Sequence, residues 1–399
     1  MPGKFATALF ALSLACGSVQ AADTPGVTQS EIKIGGVFPF SGPASPVGAV
    51  GKGLIAYVQF LNDRGGIGGR KISYIALDDA YNPAKAVEHV RRLVESDGVA
   101  FIYSQLGTPS NSGAIKYLNS KGVPSLGVVS GSQKLANVQG YPLTTTALVS
   151  FEAEGKIYAR YLSKTFPGAK IAVLYQNDDL GKDYVNGFKA VFKGDYDKRV
   201  VAVSYESTDP TIDSQILTLK SSEADALLVA ATPKFAAQAI RKTFEAGWKP
   251  TIILNFPSSS VSATLKPAGL EISTGVIVGT TLKDPADPKW EDDPGIRAYR
   301  AFFEKYLPGA NIADFYYLAG YNQGLILEQI LKQAGEDFSR ENIVRQAKSF
   351  EDFVLPTALP GITVNTSETN NAVWTQMQLQ RWNGASWDQF GAIHSGISE

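Results

Sequence analysis

The sequence contains few of the residues that carry catalytic and metal chemistry. Its 399 residues include one cysteine, Cys16, and two histidines, His89 and His394. The histidines are far apart in the sequence, so no Ser/His/Asp arrangement and no metal-ligand spacing can be proposed around them. A net charge of −1 gives no electrostatic footprint for nucleic acid or for an anionic membrane surface. The sequence therefore favours neither an enzyme nor a nucleic-acid-binding protein, and it implies no cofactor.

Two glycine-rich stretches superficially suggest nucleotide binding, and neither fits. Residues 46–53 have a proline at the first glycine position of a phosphate loop and a glycine at its hydroxyl position. Residues 65–69 follow a predicted helix, whereas a dinucleotide fingerprint follows a strand. The paired aspartates at 78–79 and 178–179 could bind a cation, but adjacent carboxylates at strand ends are more often solvated loop residues. No metal or nucleotide site is predicted from these stretches.

The N-terminal residues are patterned as a secretory signal. A lysine is followed by an apolar run over residues 5–15 and then by small residues. We predict that residues 1–22 are the signal, which would leave a mature periplasmic chain without cysteine and therefore without disulfides. Cys16 could alternatively carry a lipid, although Ser13 stands where such a motif usually has an aliphatic residue. Beyond this run, no segment is apolar for long enough to cross a bilayer.

Beyond residue 31, predicted strands and helices alternate in two successive series. Apolar β-branched runs are each followed by a polar turn and then by apolar residues at spacings of three and four. This alternation predicts two α/β lobes with doubly wound parallel sheets, and late strands that rejoin them imply that the chain crosses between the lobes three times. We assign residues 27–145 and 276–356 to an N-terminal lobe and residues 146–275 and 361–395 to a C-terminal lobe, with hinges near 144–149, 273–276 and 356–361.

The stretch over residues 101–132 is the candidate ligand-binding unit. It is predicted to form a strand, a loop, a helix capped by Ser110 or Asn111, and a second strand that ends in small polar residues. Two loops of small hydrogen-bonding residues should therefore meet at the carboxyl edge of a parallel sheet, where ligands bind in open α/β sheets. Free N–H groups at the start of the helix favour an anionic group. The alternative is an ordinary βαβ unit with polar loops.

Several motifs, in this order, resemble those of a known family over residues 31–391. They are Ile34 and Gly35, then Ser41, Gly42 and Pro43, then Asn62 with the glycine-rich residues 65–70, and then Asp79 with Asn82, Pro83 and Ala86. The chain resembles the periplasmic substrate-binding proteins of branched-chain amino acid ABC transporters, the group that includes the leucine/isoleucine/valine-binding protein. The resemblance implies a type I periplasmic binding protein fold, in which two lobes close on a small solute. It also implies delivery of that solute to a membrane permease without chemistry, and we expect a monomer.

The resemblance also implies which residues hold the ligand. In amino-acid-binding relatives, a hydroxyl and backbone groups after the third and fourth strands hold the ligand carboxylate. The matching residues here are Thr108, Val129, Ser130, Gly131 and, one position beyond the usual hydroxyl, Ser132. Across the cleft the sequence departs from the family pattern: Phe151 and Ser258 stand where acidic groups meet the ligand ammonium, Leu180 and Thr232 where tyrosines face it, and Val47 where an aromatic residue covers it.

These departures indicate a ligand that is not an α-amino acid, because an ammonium buried without a carboxylate costs several kcal/mol. We expect an apolar or aromatic solute with a carboxylate or amide end. Two alternatives stay open: these loops align with a shift of a residue or two, or Phe151 and Leu180 belong to the lobe core. A ligand-sensing module and, less favoured, a periplasmic hydrolase are the rival functions.

Overall fold

A computed structural model describes residues 24–396. The predicted signal over residues 1–22 and Cys16 lie outside the described residues. Within residues 24–396, no helix is long and apolar enough to cross a membrane.

The first lobe is built on a five-stranded, entirely parallel sheet. Its spatial order is β2-β1-β3-β4-β5, and the central strands are buried on both faces. Such strands form here because their runs of Ile, Val and Phe suit a sheet that is covered on both sides. The strands are β1 (Glu31–Phe38), β2 (Lys71–Asp78), β3 (Phe101–Tyr103), β4 (Ser125–Val128) and β5 (Thr144–Thr146).

The second lobe contains a seven-stranded sheet in the order β12-β11-β10-β9-β8-β6-β7. Strands β6 to β10 pair in parallel, and a C-terminal hairpin adds β11 and β12 antiparallel. The strands are β6 (Ile171–Gln176), β7 (Val200–Tyr205), β8 (Ala226–Ala230), β9 (Thr251–Leu254), β10 (Ile277–Thr280), β11 (Gln376–Trp382) and β12 (Trp387–Ser395). The predicted fold class, two α/β lobes with mainly parallel sheets, is confirmed.

Helices cover both sheets and connect their strands. They are α1 (Ala49–Asp63), α2 (Pro83–Glu95), α3 (Thr108–Ser120), α4 (Phe151–Thr165), α5 (Asp179–Phe192), α6 (Tyr196–Arg199), α7 (Asp213–Lys220), α8 (Pro233–Glu245), α9 (Lys266–Ala268), α10 (Pro294–Tyr306), α11 (Phe315–Ala334) and α12 (Arg340–Ala347). Helices α1 and α11 pack closely because glycines meet at their crossing: a Cβ added to Gly320 would lie 2.2 Å from the Val50 carbonyl oxygen. This packing brings the start of α11 to the first lobe's edge.

The crossovers between the lobes differ in part from the predicted hinges. The first crossover follows β5 and precedes α4, within the predicted 144–149 region. The second lies after Thr280 and not near residues 273–276, because β10 pairs with β9 and β11 and so belongs to the second sheet. The third runs beside the second, where Leu282 and Ala358 form an antiparallel bridge. The boundary drawn at residue 276 was therefore misplaced, since a buried β-branched run does not reveal which sheet it joins.

Candidate functional site

A cavity lies between the two lobes, at the carboxyl edges of both sheets. Its empty volume, mouth included, is about 620 Å³. Its walls are overwhelmingly apolar, and the side chains that line it include no carboxylate and no lysine or arginine. The lining consists of Val47, Val50, Tyr81, Leu106, Gly107, Thr108, Val129, Leu148, Phe151, Leu180, Ala231, Thr232, Pro233, Phe256, Pro257, Phe315, Tyr316 and Ala319.

The structure brings six of the predicted site residues to this cavity. Their side chains or backbone line it from both lobes: Val47, Thr108, Val129, Phe151, Leu180 and Thr232. The other four predicted residues, Ser130, Gly131, Ser132 and Ser258, are not among the lining residues. Contact of any of these residues with a ligand stays a prediction.

The start of α3 forms the polar corner of the cavity. The helix begins at Thr108 with Gly107 as its N-cap, so the predicted N-cap at Ser110 or Asn111 was wrong. Gly107 has a φ of 109°, which disfavours a side chain, and a proline in the first turn needs no N–H partner. The Ser110 hydroxyl instead donates to Asp79 Oδ2 at 2.6 Å, and the Asn111 amide donates to the Gly107 carbonyl at 2.8 Å.

A hydroxyl pair lies at this corner. Thr108 Oγ1 and Ser130 Oγ are 2.8 Å apart, and both residues are buried. Whichever hydroxyl donates in this bond, one hydroxyl hydrogen of the pair is left over for another acceptor. The first N–H groups of α3 also lack carbonyl partners within the helix and carry partial positive charge. This corner can therefore hold a carboxylate or an amide oxygen.

Gly131 and Ser132 support the corner from behind. The Ser132 N–H donates to Ser130 Oγ at 3.2 Å, which orients that hydroxyl. A Cβ added to Gly131 would lie 2.2 Å from the Val149 carbonyl oxygen and 2.7 Å from the Phe151 ring. Gly131 is therefore needed for the close approach of this loop to the start of α4.

In the second lobe, the first residues of three helices and one loop lie at the cavity. Phe151 begins α4, Leu180 lies in the first turn of α5, and Thr232 is the N-cap of α8. The Ser258 hydroxyl donates to the Ala231 carbonyl and is fully buried, so it braces its loop and does not face the cavity. Phe256, from the same loop, forms the wall in its place.

Several lining residues were missed by the sequence reasoning. Tyr81, Leu106 and Phe256 follow β2, β3 and β9, so the rule that ligands bind at carboxyl strand ends could have found them. Phe315 and Tyr316 come from the start of α11, for which no local sequence signal exists. Their place in the wall is decided by the packing of α11 on α1.

The paired aspartates after β2 and β6 are structural and do not line the cavity. Asp79 Oδ1 accepts from the Tyr81 N–H at 2.8 Å, and Asp178 Oδ1 accepts from the Leu180 N–H at 2.9 Å as the N-cap of α5. Burial raises the pKa of both carboxyl groups. No group of three or more potential metal ligands occurs among residues 24–396. A ligand ammonium in the cavity would therefore meet no carboxylate in its walls.

Polar contacts join the lobes beside the cavity. Asp179 Oδ2 accepts from the Ser112 hydroxyl at 2.7 Å and lies 3.3 Å from Lys134 Nζ. Asp183 Oδ2 accepts from the Gln133 N–H at 2.8 Å. We call these five residues the latch. Because they link α3 and the loop after β4 to α5, they show the two lobes closed on each other.

Asp183 should make closure depend on pH. In the closed form the pKa of Asp183 is raised to about 7, mainly by burial and also by the nearby charges of Asp179 and Glu152, while hydrogen bonding to Gln133 and Ser132 opposes the rise. If opening exposes this carboxyl to water, its pKa falls, so closure takes up a proton between about pH 4 and about pH 7. Ligand affinity should therefore decrease as pH rises through that window, by at least about tenfold, the equivalent of one pKa unit.

Calorimetry of wild type and Asp183→Asn across this pH range tests the prediction. The variant keeps an acceptor for Gln133 but does not ionise, so its affinity should vary much less with pH. Burial also raises the pKa of Glu154 to about 7, but its hydrogen-bond partners all lie in the second lobe, so it should not be linked to closure. An equally steep pH profile in Asp183→Asn would contradict the assignment.

Comparisons with known proteins agree with this fold. The model of a protein family described as "Periplasmic binding protein" matches residues 31–386 of this chain. "Leu/Ile/Val-binding protein homolog 7" of Brucella abortus (strain 2308) is 26% identical over 387 residues, which cover 94% of each chain.

Solved structures share the fold at lower identity. A possible leucine/isoleucine/valine-binding protein from Rhodopirellula baltica has a TM-score of 0.81 at 19% identity, covering 93% of this chain and 98% of that one. A fatty acid ABC transporter substrate-binding protein from Thermomonospora curvata has a TM-score of 0.78 at 21% identity, covering 94% and 95%. A branched-chain amino acid ABC transporter structure from Thermus thermophilus with bound valine has a TM-score of 0.81 at 15% identity, covering 92% and 97%.

The family resemblance found in the sequence is thereby confirmed, since the family match spans most of the chain. The relatives are named as binding proteins. The chain belongs to the periplasmic binding protein family.

Proposed function

We propose that this protein is the extracytoplasmic solute-binding component of an ABC importer, and that its solute is an apolar aliphatic or aromatic molecule with a carboxylate or amide end. The observation that carries the proposal is the mainly apolar interlobe cavity, which has a buried hydroxyl pair at Thr108 and no carboxylate in its lining. Burial of an apolar solute body contributes roughly 25 cal/mol per Å² of surface removed from water. The body of the solute therefore supplies most of the affinity.

The polar end of the solute is assigned to the start of α3. The Thr108–Ser130 pair can donate a hydroxyl hydrogen, and the free N–H groups of the first helical turn favour negative charge. The second lobe lines the cavity with Phe151, Leu180 and Phe256, none of which can pair with an ammonium. An α-amino acid would place its carboxylate at the start of α3 and leave its ammonium without a carboxylate partner.

The names of related proteins point to two different classes of solute. The Thermomonospora curvata protein is named for fatty acids, which are apolar carboxylates, and so agrees with the present cavity. The Brucella protein is named for leucine, isoleucine and valine, and the Thermus structure contains valine. The absence of an acidic side chain from the lining favours the first class for this chain.

Closure would couple capture to delivery. A solute that touches both lobes binds the closed form better than the open form, and this difference drives the lobes together. The latch adds polar contacts that exist only when the lobes meet. A membrane permease that recognises the closed surfaces would then receive the loaded protein. We propose that the protein acts as a monomer, which sedimentation of the purified protein would test.

A ligand panel tests the proposed solute class. Thermal unfolding and calorimetry should be measured with phenylacetate, octanoate and benzamide, and in parallel with leucine and valine. A ligand at 100 times its Kd stabilises the folded protein by about 2.7 kcal/mol, so a true solute will produce a clear shift in Tm. Tight leucine or valine binding with no response to the other three compounds would overturn the proposed solute class.

Thr108→Val should weaken binding of the carboxylate that binds best. The substitution keeps the shape of the side chain but removes the hydroxyl, and loss of a hydrogen bond to a charged group costs about 1.5–3 kcal/mol. Affinity should therefore fall by about tenfold or more. Calorimetry of Thr108→Ser, which retains the hydroxyl, is the matched control and should show a smaller loss. Equal affinities of wild type and Thr108→Val would place the carboxylate elsewhere.

A further inference from the structure

A buried carboxyl group lies behind the aromatic walls of the cavity. Glu154 on α4 is 1% exposed. Its Oε1 accepts from the Phe256 N–H at 2.7 Å and from the Tyr158 hydroxyl at 2.6 Å, and its Oε2 accepts from the Tyr184 hydroxyl at 2.7 Å. One side chain thus satisfies three buried donors from three separate parts of the second lobe.

Two of these three bonds lead to the cavity wall. Phe256 itself lines the cavity, so its N–H bond to Glu154 fixes the wall directly. Tyr184 stacks on Phe151, with ring centroids 5.3 Å apart and an interplanar angle of 24°, so the same carboxyl holds the ring that supports the other aromatic wall. The third bond continues through Tyr158, whose hydroxyl accepts from the Gly279 N–H at 2.8 Å in β10.

The Phe256 loop has a second anchor in the opposite lobe. The Pro257 carbonyl accepts from the Tyr316 hydroxyl at 2.6 Å, and Tyr316 belongs to α11 of the first lobe. The Phe256 loop is therefore bonded on both sides. Glu154 binds it within the second lobe, and Tyr316 binds it from the first lobe in the closed form. In a low-dielectric interior, a fully satisfied network of this kind fixes geometry, whereas the loss of its acceptor leaves several donors unpaired.

We propose that Glu154 is a positioning residue that sets the spacing between Phe151 and Phe256, and thereby the thickness of the solute body that the cavity accepts. This inference rests on the proposed function, because it assigns a selectivity to the same cavity. Glu154 contacts no solute itself and acts only through Phe256 and Tyr184.

Two carboxylates of different thickness test the inference. Phenylacetate has a flat ring and cyclohexylacetate has a puckered one, while their charged ends are the same. The ratio of their affinities should be measured by calorimetry in wild type, Glu154→Met and Glu154→Gln. The methionine removes the acceptor and so loosens the spacing of the two walls. The ratio of the two affinities should therefore move toward one by about threefold or more. The glutamine keeps an oxygen for Phe256 and Tyr158 and should retain most of the wild-type ratio.

Tyr57→Phe is the matched control. Tyr57 is another buried tyrosine that donates to a carboxyl group, Glu328, but it lies in the first lobe and does not line the cavity. Its removal should leave the affinity ratio unchanged. A ratio unchanged in folded Glu154→Met would overturn the inference. If Glu154→Met does not fold, Tyr184→Phe decides in the same way, since it removes only the link to the Phe151 wall.

Amide hydrogen exchange gives a readout that needs no ligand. Peptides covering residues 255–259 should exchange about tenfold faster in Glu154→Met, because the buried Phe256 N–H loses its acceptor. Exchange there should be near the wild-type rate in Glu154→Gln and Tyr57→Phe. If neither probe binds the wild type, the proposed solute class fails and exchange alone decides the positioning role: unchanged exchange in Glu154→Met would overturn it, and acceleration confined to this loop would support it.

Discussion

Ala319→Phe is expected to weaken solute binding severely while the protein stays folded. Ala319 lies on α11 and lines the interlobe cavity, and it is only partly buried. A phenyl ring at this position would occupy the space that we assign to the solute body. Overpacking of a filled site costs about 1–3 kcal/mol, so affinity should fall by about ten- to hundredfold.

Calorimetry with the best-binding carboxylate measures this loss, and thermal unfolding without ligand verifies the fold. Ala84→Phe is the matched control, because Ala84 lies exposed on α2, away from the cavity. It adds the same ring to the surface and should leave affinity unchanged. Normal affinity in Ala319→Phe would show that the solute binds outside this cavity and would contradict the proposed site.

Asp293→Ala is expected to cause the largest loss of stability among the predictions. Lys283 Nζ lies 2.7 Å from Asp293 Oδ2 and donates to the Pro356 carbonyl at 2.8 Å, which joins the second and third crossovers. The lysine side chain is only 9% exposed. Removal of the aspartate would leave this ammonium buried without a carboxylate, with only the Pro356 carbonyl and the face of the Trp290 ring, 5.4 Å away, as its remaining partners in the described contacts. It would also remove the cap that Asp293 Oδ1 provides to the Ile296 N–H.

Breaking a buried ion pair costs about 3–5 kcal/mol. We expect the lower end, about 3 kcal/mol, because the Asp293 side chain is 20% exposed and water can partly replace it. Urea unfolding measures the change. Asp292→Ala is the control, since the neighbouring Asp292 side chain is 100% exposed and pairs with Arg297 only at the surface. A similar loss of stability in both variants would contradict a specific role for the Lys283 pair.

Local patterns in the sequence were sufficient for most elements of the fold. The pattern of residues 315–334 in the sequence predicts a helix, and α11 spans Phe315–Ala334. The Asn383-Gly384 pair before Trp387 predicts a hairpin, and β11 and β12 pair antiparallel around it. These predictions succeed because periodicity and turn chemistry depend on residues that are neighbours in the chain.

The predicted site residues that line the cavity follow the ends of strands, and their contact with a ligand stays a prediction. Thr108, Leu180 and Thr232 all lie just after parallel strands and all line the cavity. Ser258 also follows a strand, but its hydroxyl turns inward to the Ala231 carbonyl, because a buried hydroxyl must find a partner. Sequence position therefore located the loop, and hydrogen bonding decided which of its residues faces the cleft.

The sequence by itself determined the family, the alternation of strands and helices, and the polar corner at the start of α3. It also indicated an apolar second half of the cleft, through Phe151 and Leu180. The tertiary structure alone decided that β10 joins the second sheet, that Phe315 and Tyr316 line the cavity, and that Glu154 accepts a hydrogen bond from the Phe256 N–H. These features depend on contacts between residues that are far apart in the chain, such as Glu154 and Phe256, which are 102 positions apart. A local sequence pattern indicates that a face is buried but not which part of the chain buries it.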